Sequence, residues 1–230
     1  MGLITNGSLL HKHLELSELC SYIRISLDAC TAETHKKIHG TDDFEGIIGN
    51  IKMIVGKKAQ VGVQFVLCKD NESELDKIVP YVKGLGANYV QIKPVVDYGK
   101  SKDYDIQLTD RILINQHEDD AFKVVIKQDE FNEITYGRDY KTCNAVKLVG
   151  SVVENGDMSI CCHLKHREEF TIGNINMINF DRLWGSVAHQ RVIDNIDLSK
   201  CPPSCGRFSI NKFLEDAIEN TKDIKNYNFV

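Results

Sequence analysis

Five of the eight cysteines fall between Cys143 and Cys205, and their spacing is typical of a metal site. Cys201 and Cys205 enclose three residues in the sequence Cys-Pro-Pro-Ser-Cys, and the prolines stiffen that loop. Cys143 and the adjacent pair Cys161 and Cys162 lie upstream, with 17 residues (144–160) between Cys143 and Cys161. We therefore predict that Cys143, Cys201, Cys205 and one of the adjacent pair bind a metal ion or cluster.

Two kinds of metal group suit four thiolates, a tetrahedral zinc ion and a four-iron cluster. Zinc ribbons usually present two close cysteine pairs, whereas only the second pair is close here. The spacing therefore favours iron–sulfur and leaves zinc as the alternative. His163 and His166 could serve as zinc ligands, although we favour a surface role for both.

The stretch NGDMSICC (155–162) contains a strong turn signal, Asn155-Gly156. Residues 147–153 and 158–164 are predicted to pair as a hairpin around it, which would bring Cys161 beside Cys143. Adjacent residues on a strand point to opposite faces, so Cys161 and Cys162 would not both face one metal. The spacing alone does not choose between these two.

Four strands are predicted before residue 100, at 2–5, 22–27, 61–67 and 89–92. Segments with helical spacing of apolar residues separate them, notably 44–55 and 75–85. Alternating strands and helices predict βαβ units and an α/β fold with a parallel sheet, curled towards a barrel or doubly wound.

Local signals refine these helices. Residues 8–19 read as a helical stretch, and Asn71 with Glu74 forms a predicted capping box for the helix that follows. Pro80 predicts a kink in that helix. The glycines of 84–89 (GLGANY) follow a helix and precede a strand, so they predict a helix C-cap rather than a dinucleotide site.

Polar residues at the carboxyl ends of the strands are candidate ligand contacts, because ligands bind at that edge of parallel sheets. They are Asn6, Ser26, Asp28, Gln64 and Lys93. A purely loop-forming role for them is equally open. From residue 101 the alternation stops: 101–109 is a predicted linker, 111–115 a short apolar piece, 122–126 a strand and 179–193 a helical stretch.

The composition excludes several classes of protein. The chain has 230 residues, of which 42% are hydrophobic and 27% charged, as in ordinary globular proteins. A net charge of -5 gives no support to a nucleic-acid partner. No apolar run approaches the roughly 18 residues of a membrane span, and the first residues lack the order of a signal peptide. We therefore predict a cytoplasmic protein without membrane contact.

Four segments resemble the later strands of radical S-adenosylmethionine (radical SAM) enzymes. They are TNG (5–7), RISLDACTAETHKKIHG (24–40), VQFVLCKDN (63–71) and VQIKP (90–94). The pattern Cys143-x12-Gly156-x4-Cys161, followed by CPPSC, resembles the auxiliary-cluster module after that barrel, in its "twitch" or SPASM form. The motif of that module reads Cys-x9-15-Gly-x4-Cys. Gly156 and Cys161 match its glycine and its second cysteine, and Cys162 does not match.

The resemblance implies a partial (βα) barrel of radical-SAM type, containing only the later strands, over residues 1–100. A linker with short elements (101–142) and a small β-hairpin/helix cysteine-cluster domain with a C-terminal helix (143–230) would follow. Cys143, Cys161, Cys201 and Cys205 would bind one auxiliary [4Fe-4S] cluster, as in the twitch form. Ser26 and Asp28 would contact the ribose or methionine part of S-adenosylmethionine.

The sequence departs from that family at one point, since it contains no Cys-x3-Cys-x2-Cys motif for the catalytic cluster. The resemblance therefore implies the C-terminal portion of an enzyme, as a fragment, a truncated gene model or half of a split protein, which is inactive alone. The parent would cleave S-adenosylmethionine reductively, with flavodoxin or ferredoxin as reductant, and abstract a hydrogen from a peptide or sugar-like substrate. Asp97 and Asp157 are candidate general bases by position only.

A non-catalytic zinc- or cluster-stabilised module that binds a partner protein is the alternative. The strand at 2–5 would in either case expose a barrel edge, and exposed apolar edges favour association.

Overall fold

The structure is a computed structural model, and it describes residues 1–96 and 117–222. These residues form two units, one of residues 1–95 with 117–131 and one of residues 132–222. The predicted linker at 101–109, the apolar piece at 111–115 and the candidate base Asp97 lie outside the described residues. None of the described helices is both long and apolar enough to cross a bilayer.

The first unit contains a five-stranded parallel sheet whose strands lie in chain order. The strands are β1 (Gly2–Thr5), β2 (Tyr22–Ser26), β3 (Gln60–Leu67), β4 (Tyr89–Pro94) and β5 (Lys123–Ile126). The predicted α/β class and parallel sheet are confirmed. The strand predicted at 122–126 is also present, but the expectation that the alternation ends before it is wrong, because β5 pairs with β4 as a fifth parallel strand.

The helices described up to residue 136 are α1 (Leu16–Leu19), α2 (Ala32–His39), α3 (Phe44–Ile54), α4 (Leu75–Gly84) and α5 (Gln128–Tyr136). The helix predicted over 8–19 is reduced to a 3-10 turn, Leu10–Lys12, and the four residues of α1. A tertiary contact explains this, because the Asn50 side-chain amide donates to the carbonyls of Gly7 (2.8 Å) and Ser8 (3.2 Å). The Gly7 carbonyl also accepts from the amide of Leu10 at 3.3 Å, so these contacts accompany a 3-10 turn instead of an α-helical start.

The capping box predicted before α4 is absent, because both of its residues bond elsewhere. The buried Asn71 side chain donates to the carbonyls of Asp28 and Val66, each at 2.9 Å, and accepts from the amide of Cys68 at 2.8 Å. Glu74 accepts from the amide of Cys30 at 2.7 Å. These bonds tie the ends of β2 and β3 together instead of capping the helix.

The end of α4 agrees with its predicted C-cap. Gly86 has φ +84°, and its amide bonds the carbonyl of Lys83 at 2.9 Å. Glycine adopts this left-handed conformation without a steric penalty. Pro80 lies inside the helix, which runs on to Gly84.

The two faces of the sheet have opposite character, because side chains alternate along each strand. One face is apolar and forms a single core with α3 and α4; its strand residues include Ile23, Ile25, Val61, Val63, Phe65, Val90 and Ile92. The other face carries Arg24 and Ser26 on β2, Gln64 on β3, and Gln91 and Lys93 on β4. The candidate ligand residues on the strands therefore share one face, opposite the core.

The second unit contains a small antiparallel sheet of β6 (Ser151–Val152), β7 (Asp157–Ser159) and β8 (Thr171–Asn174). The predicted hairpin is confirmed with shorter strands. Gly156 has φ +89° and its amide bonds the carbonyl of Val153, which closes the turn. A residue with a side chain would be strained at this φ, and its Cβ would also displace the Asn176 amide, whose Nδ2 lies 2.1 Å from that position. Strand β8 was not predicted.

Three helices follow in this unit, α6 (Phe180–Leu183), α7 (Val187–Asp194) and α8 (Phe208–Lys222). The helical stretch predicted over 179–193 is thus two helices, divided at Gly185, which has φ +78°. The unit has its own small core of Val146, Met158, Ile160, Leu164, Phe170, Ile172 and Leu183.

Replacing Asn71 with alanine should destabilise the first unit, because two carbonyls and one amide near the strand ends would lose their partner. Unsatisfied buried groups cost about 1–3 kcal/mol each, so we expect a loss of at least about 2 kcal/mol in the free energy of unfolding. Urea denaturation followed by circular dichroism measures this. Asn176→Ala, at an exposed turn, is the control, and equal losses in both variants would contradict the assigned role.

Candidate functional site

The second unit contains four half-buried thiols, Cys143, Cys161, Cys201 and Cys205. Burial raises the pKa of Cys143, and the charges of Cys205 and Cys161 add to the rise. Cys143 and Cys161 also pack against the small core of that unit. The pKa of Cys201 is raised to about 11, mainly by burial, with Arg138 opposing and the charges of Cys143, Cys161 and Cys205 adding to the rise. Thiols from segments far apart in the sequence are therefore neighbours in the fold.

These thiols do not form a closed coordination sphere for a single ion. Across residues 1–96 and 117–222, no three Cys, His, Asp or Glu side chains converge closely enough to hold a metal ion. Four thiolates on one tetrahedral zinc would stand about 3.8 Å apart, given a Zn–S distance of about 2.3 Å. In a four-iron cluster each thiolate binds a different iron, so the sulfurs stand farther apart. The chemistry of the donor set, four thiols from separate segments, suits either group, and the choice between zinc and a four-iron cluster stays a prediction.

Cys161 and Cys162 lie in an irregular segment after β7, not on a strand as predicted. Their environments nevertheless differ as the strand argument expected, because Cys161 is half-buried against the core whereas Cys162 is exposed. A hydrogen bond from His163, supported by Arg207, lowers the pKa of Cys162 to about 7.

His163 contacts two thiols, which the sequence did not reveal. Hydrogen bonds with Cys162 and Cys205 raise the pKa of His163 to about 11. His166 is exposed, as predicted. The adjacency of Cys162 and His163 in the sequence was the available signal for the first contact, whereas the contact with Cys205 depends on the fold.

A buried ion pair anchors the loop that carries Cys201 and Cys205. Nε of Arg138 donates to Oε1 of Glu133 at 2.7 Å, and the Glu133 side chain is fully buried. The guanidinium also donates to the carbonyls of Leu198 and Pro202, while Oε2 of Glu133 accepts from the amide of Cys205 at 2.6 Å. Sequence reasoning missed this pair, because neither residue is near the loop in the chain and their spacing matches no motif.

The polar face of the first unit brings together some of the predicted ligand residues. Ser26, Gln64 and Gln91 occupy one row across β2, β3 and β4, and Gln64 and Gln91 are 6% and 7% exposed. Lys93 follows on the same face two residues beyond Gln91. Gln91 was missed, although its place two residues before Lys93 signalled the shared face.

Arg24 lies on this face two residues before Ser26. Its Nε is buried and has no hydrogen-bond partner within the described part of the chain. A buried donor without a partner is unusual in native proteins and marks a place where a ligand or water can bind.

Asp28 is buried and already has protein partners for both carboxylate oxygens. Oδ1 accepts from the amide of Val66 at 2.6 Å, and Nε2 of His39 lies 3.3 Å from Oδ2. Burial raises the pKa of Asp28, while Val66, His39 and Lys93 oppose the rise. Its φ of +58° is unusual for a residue with a side chain. The carboxylate ties β2 to β3, and its predicted contact with a ligand stays a prediction.

Asn6 and Asp157 have local roles in the structure. Oδ1 of Asn6 accepts from the amide and hydroxyl of Ser8, which is the loop-forming alternative. The two carboxylate oxygens of Asp157 accept from the side-chain amides of Asn155 (2.7 Å) and Asn174 (2.9 Å), and these bonds stabilise the hairpin turn. These contacts occupy the oxygens that a general base would use.

Replacing Arg138 with methionine should strongly destabilise the second unit, because it removes the cation that faces the buried Glu133 carboxylate. Breaking a buried ion pair in this way costs about 3–5 kcal/mol. Urea unfolding followed by circular dichroism measures the loss. Arg167→Met, at a half-exposed pair with Glu169, is the matched control, and we expect it to change stability by no more than about 0.5 kcal/mol. Similar losses in the two variants would refute the anchoring role.

Comparison with known proteins gives a distant relationship. No family model matches the chain. It is 32% identical over 106 residues to a probable GTP 3',8-cyclase of Saccharolobus islandicus, and 34% identical over 107 residues to one of Saccharolobus solfataricus. Each alignment covers 44% of this chain and 34% of the relative, so about a third of those proteins is matched.

Solved structures show the same fold over most of the chain. A structure of polyhistidine-tagged anSMEcpe with bound AdoMet superposes with a TM-score of 0.57 at 17% identity, covering 92% of this chain and 61% of that one. The structure of native anSMEcpe with bound AdoMet and Cp18Cys peptide superposes with a TM-score of 0.57 at 18% identity, and the match covers 92% of this chain and 64% of that one. The chain therefore has weak sequence similarity to the probable GTP 3',8-cyclases over part of its length, and its α/β fold with a five-stranded parallel sheet matches the anSMEcpe structures with bound AdoMet.

Proposed function

We propose that this chain forms part of a radical SAM enzyme and binds an auxiliary [4Fe-4S] cluster through Cys143, Cys161, Cys201 and Cys205. The observation that carries the proposal is a set of four half-buried thiols from separate segments, of which Cys143 and Cys201 have pKa values raised by burial and by the charges of the other thiols, in a chain with a radical-SAM-type fold. The Cys-x3-Cys-x2-Cys motif for the catalytic cluster is absent from the 230 residues. The chain would therefore not cleave S-adenosylmethionine by itself.

The polar face of the sheet would bind S-adenosylmethionine and substrate. Together with a reduced catalytic cluster, S-adenosylmethionine supplies a radical that removes a hydrogen atom from the substrate. Ser26 and Gln64 offer a hydroxyl and an amide in one row for polar groups of the ligand. Lys93 offers a cation for a carboxylate of the ligand, and the unpartnered Nε of Arg24 offers a further hydrogen-bond donor. Asp28 would act mainly by holding β2 against β3, and Asn6 by shaping the loop after β1.

Two features of the second unit would hold the cysteine ligands in place, a buried ion pair and a hairpin turn. Glu133 and Arg138 bond the backbone of the loop that carries Cys201 and Cys205, so both sulfurs are presented by a loop of restricted mobility. The hairpin turn at Gly156 returns the chain towards Cys161. Restricting the ligands before the cluster binds lowers the entropy lost on binding.

The known proteins indicate two substrate classes. The relatives named GTP 3',8-cyclases act on a nucleotide, whereas the anSMEcpe structure contains a peptide. We propose a peptide or sugar-like substrate, reached on the polar face, and a flavodoxin or ferredoxin as the reductant of the complete enzyme. Cationic Arg24 and Lys93 would equally suit a phosphate group, and a comparison of GTP with peptide binding distinguishes the two classes.

Anaerobic reconstitution should load about four irons per chain and give the brown colour of a four-iron cluster. Cys161→Ala should lose most of this iron, whereas Cys162→Ala, the matched control at the neighbouring residue, should keep it. Iron analysis and electron paramagnetic resonance (EPR) spectroscopy of the two variants measure the difference. Colourless protein with one zinc would overturn the cluster, and iron loss in Cys162→Ala alone would overturn the choice of ligand.

A non-catalytic module that binds a partner protein is the second candidate function. Exposed apolar side chains in the second unit favour it, among them Met177 (85% exposed), Phe180 (55%) and Val187 (77%). Large exposed apolar residues in proximity are typical of interaction surfaces. The exposed Ile4 of edge strand β1 is a further possible point of association, which light scattering of Ile4→Lys and wild type would test.

Binding of S-adenosylmethionine distinguishes the two functions. The enzyme hypothesis predicts measurable heat in calorimetry with the wild-type chain, and an affinity at least about tenfold weaker in Lys93→Met, because a charge-assisted bond to the ligand is lost. Lys52→Met, at an exposed position of α3 on the opposite side of the sheet, is the control with the same change of charge. Absence of binding to a folded, cluster-loaded chain would favour the non-catalytic module.

A further inference from the structure

Asn211 contacts the sulfur of Cys143 from inside the second unit. It lies on α8 and is fully buried. Its Nδ2 donates to Sγ of Cys143 at 3.7 Å, and its Oδ1 accepts from the amide of Ala145 at 2.7 Å. The amide of Val146 also donates to the sulfur, so Cys143 receives one side-chain and one backbone hydrogen bond.

The orientation of the Asn211 amide follows from its neighbours. The backbone N–H of Ala145 can only donate, so the group that faces it must be Oδ1. Nδ2 is then directed at the sulfur, and the hydroxyl of the buried Tyr140 makes a further hydrogen bond with the same side chain. Packing of Tyr140 edge-on against Phe208, with ring centroids 5.7 Å apart, holds that hydroxyl in place. The amide therefore has one orientation, with its donor on the sulfur.

An asparagine with only a structural role needs the bond to Ala145, which links α8 to the segment after Cys143. It does not need a donor on the sulfur. Hydrogen bonds to cysteine sulfurs are among the factors that set the potential of an iron–sulfur cluster. Partners of metal ligands also orient those ligands, and their loss commonly weakens the site 10–100-fold.

We propose that Asn211 is a positioning residue for the auxiliary cluster, which holds Cys143 by an N–H···S hydrogen bond and raises the reduction potential of the cluster. The inference rests on the proposed function, because it requires that Cys143 is a cluster ligand. A donor on the thiolate stabilises the negative charge that the cluster gains when it accepts one electron, so the reduced form is favoured. Without the donor the potential falls.

Asn211→Asp separates this effect from the structural one. Aspartate has nearly the same shape and keeps an oxygen for the amide of Ala145, but it places an oxygen instead of Nδ2 against the sulfur. In the reconstituted chain, we expect the equilibrium constant for one-electron reduction to fall at least tenfold, a shift of about 59 mV to more negative potential. A redox titration with dithionite, followed by EPR, measures it. Asn176→Asp, exposed and bonded only within the hairpin turn, makes the same charge change as a control and should leave the potential unchanged.

A second variant keeps the test independent of the added charge. Asn211→Ala removes the donor without placing a carboxylate near the cluster, and its potential should also fall, by less than that of Asn211→Asp. Lower iron content with an unchanged potential in the loaded fraction of both variants would show a structural role only and overturn the inference. A wild-type chain that binds no four-iron cluster would instead overturn the proposed function itself.

Discussion

Alternation of side chains along five parallel strands is the constraint on which the first unit depends. Each strand directs every second residue into the core, so Val63 and Phe65 on β3 are buried while Gln64 between them faces the other way. The register of the strand pairs β2–β3 and β3–β4 then places Ser26, Gln64 and Gln91 in one row. A shift of one residue on β2, β3 or β4 would turn a polar side chain towards the core. The apolar face therefore also fixes which residues lie on the polar face.

The second unit depends on buried polar side chains rather than on a large core. Its sheet is small, and the loop with Cys201 and Cys205 has no strand to hold it. Glu133 and Arg138 provide the missing hydrogen bonds to that loop, and Asn211 provides one to Cys143. Backbone groups in buried loops need such partners, because water cannot reach them. The side chains that hold the thiols are therefore as important to the site as the thiols.

Two errors of the sequence-based prediction share one cause, since the deciding interaction joins residues far apart in the chain. Asn71 and Glu74 match a capping box locally, yet Asn71 bonds the carbonyl of Asp28 and Glu74 the amide of Cys30. Residues 8–19 have helical spacing, yet Asn50 binds two carbonyls at their start. Local patterns describe what a segment favours in isolation, and tertiary hydrogen bonds override preferences of this size.

The sequence by itself determined the α/β class, the parallel strands with their approximate ends and the hairpin at Gly156, and it singled out the cysteines whose role as ligands stays a prediction. Apolar periodicity, turn chemistry and cysteine spacing are local properties, so they can be read without the fold. Only the tertiary structure decided that β5 joins the sheet, that His163 lies between two thiols, and that Glu133, Arg138 and Asn211 support the cysteine site. Each of these depends on contacts between separate segments, which follow from packing and not from spacing along the chain.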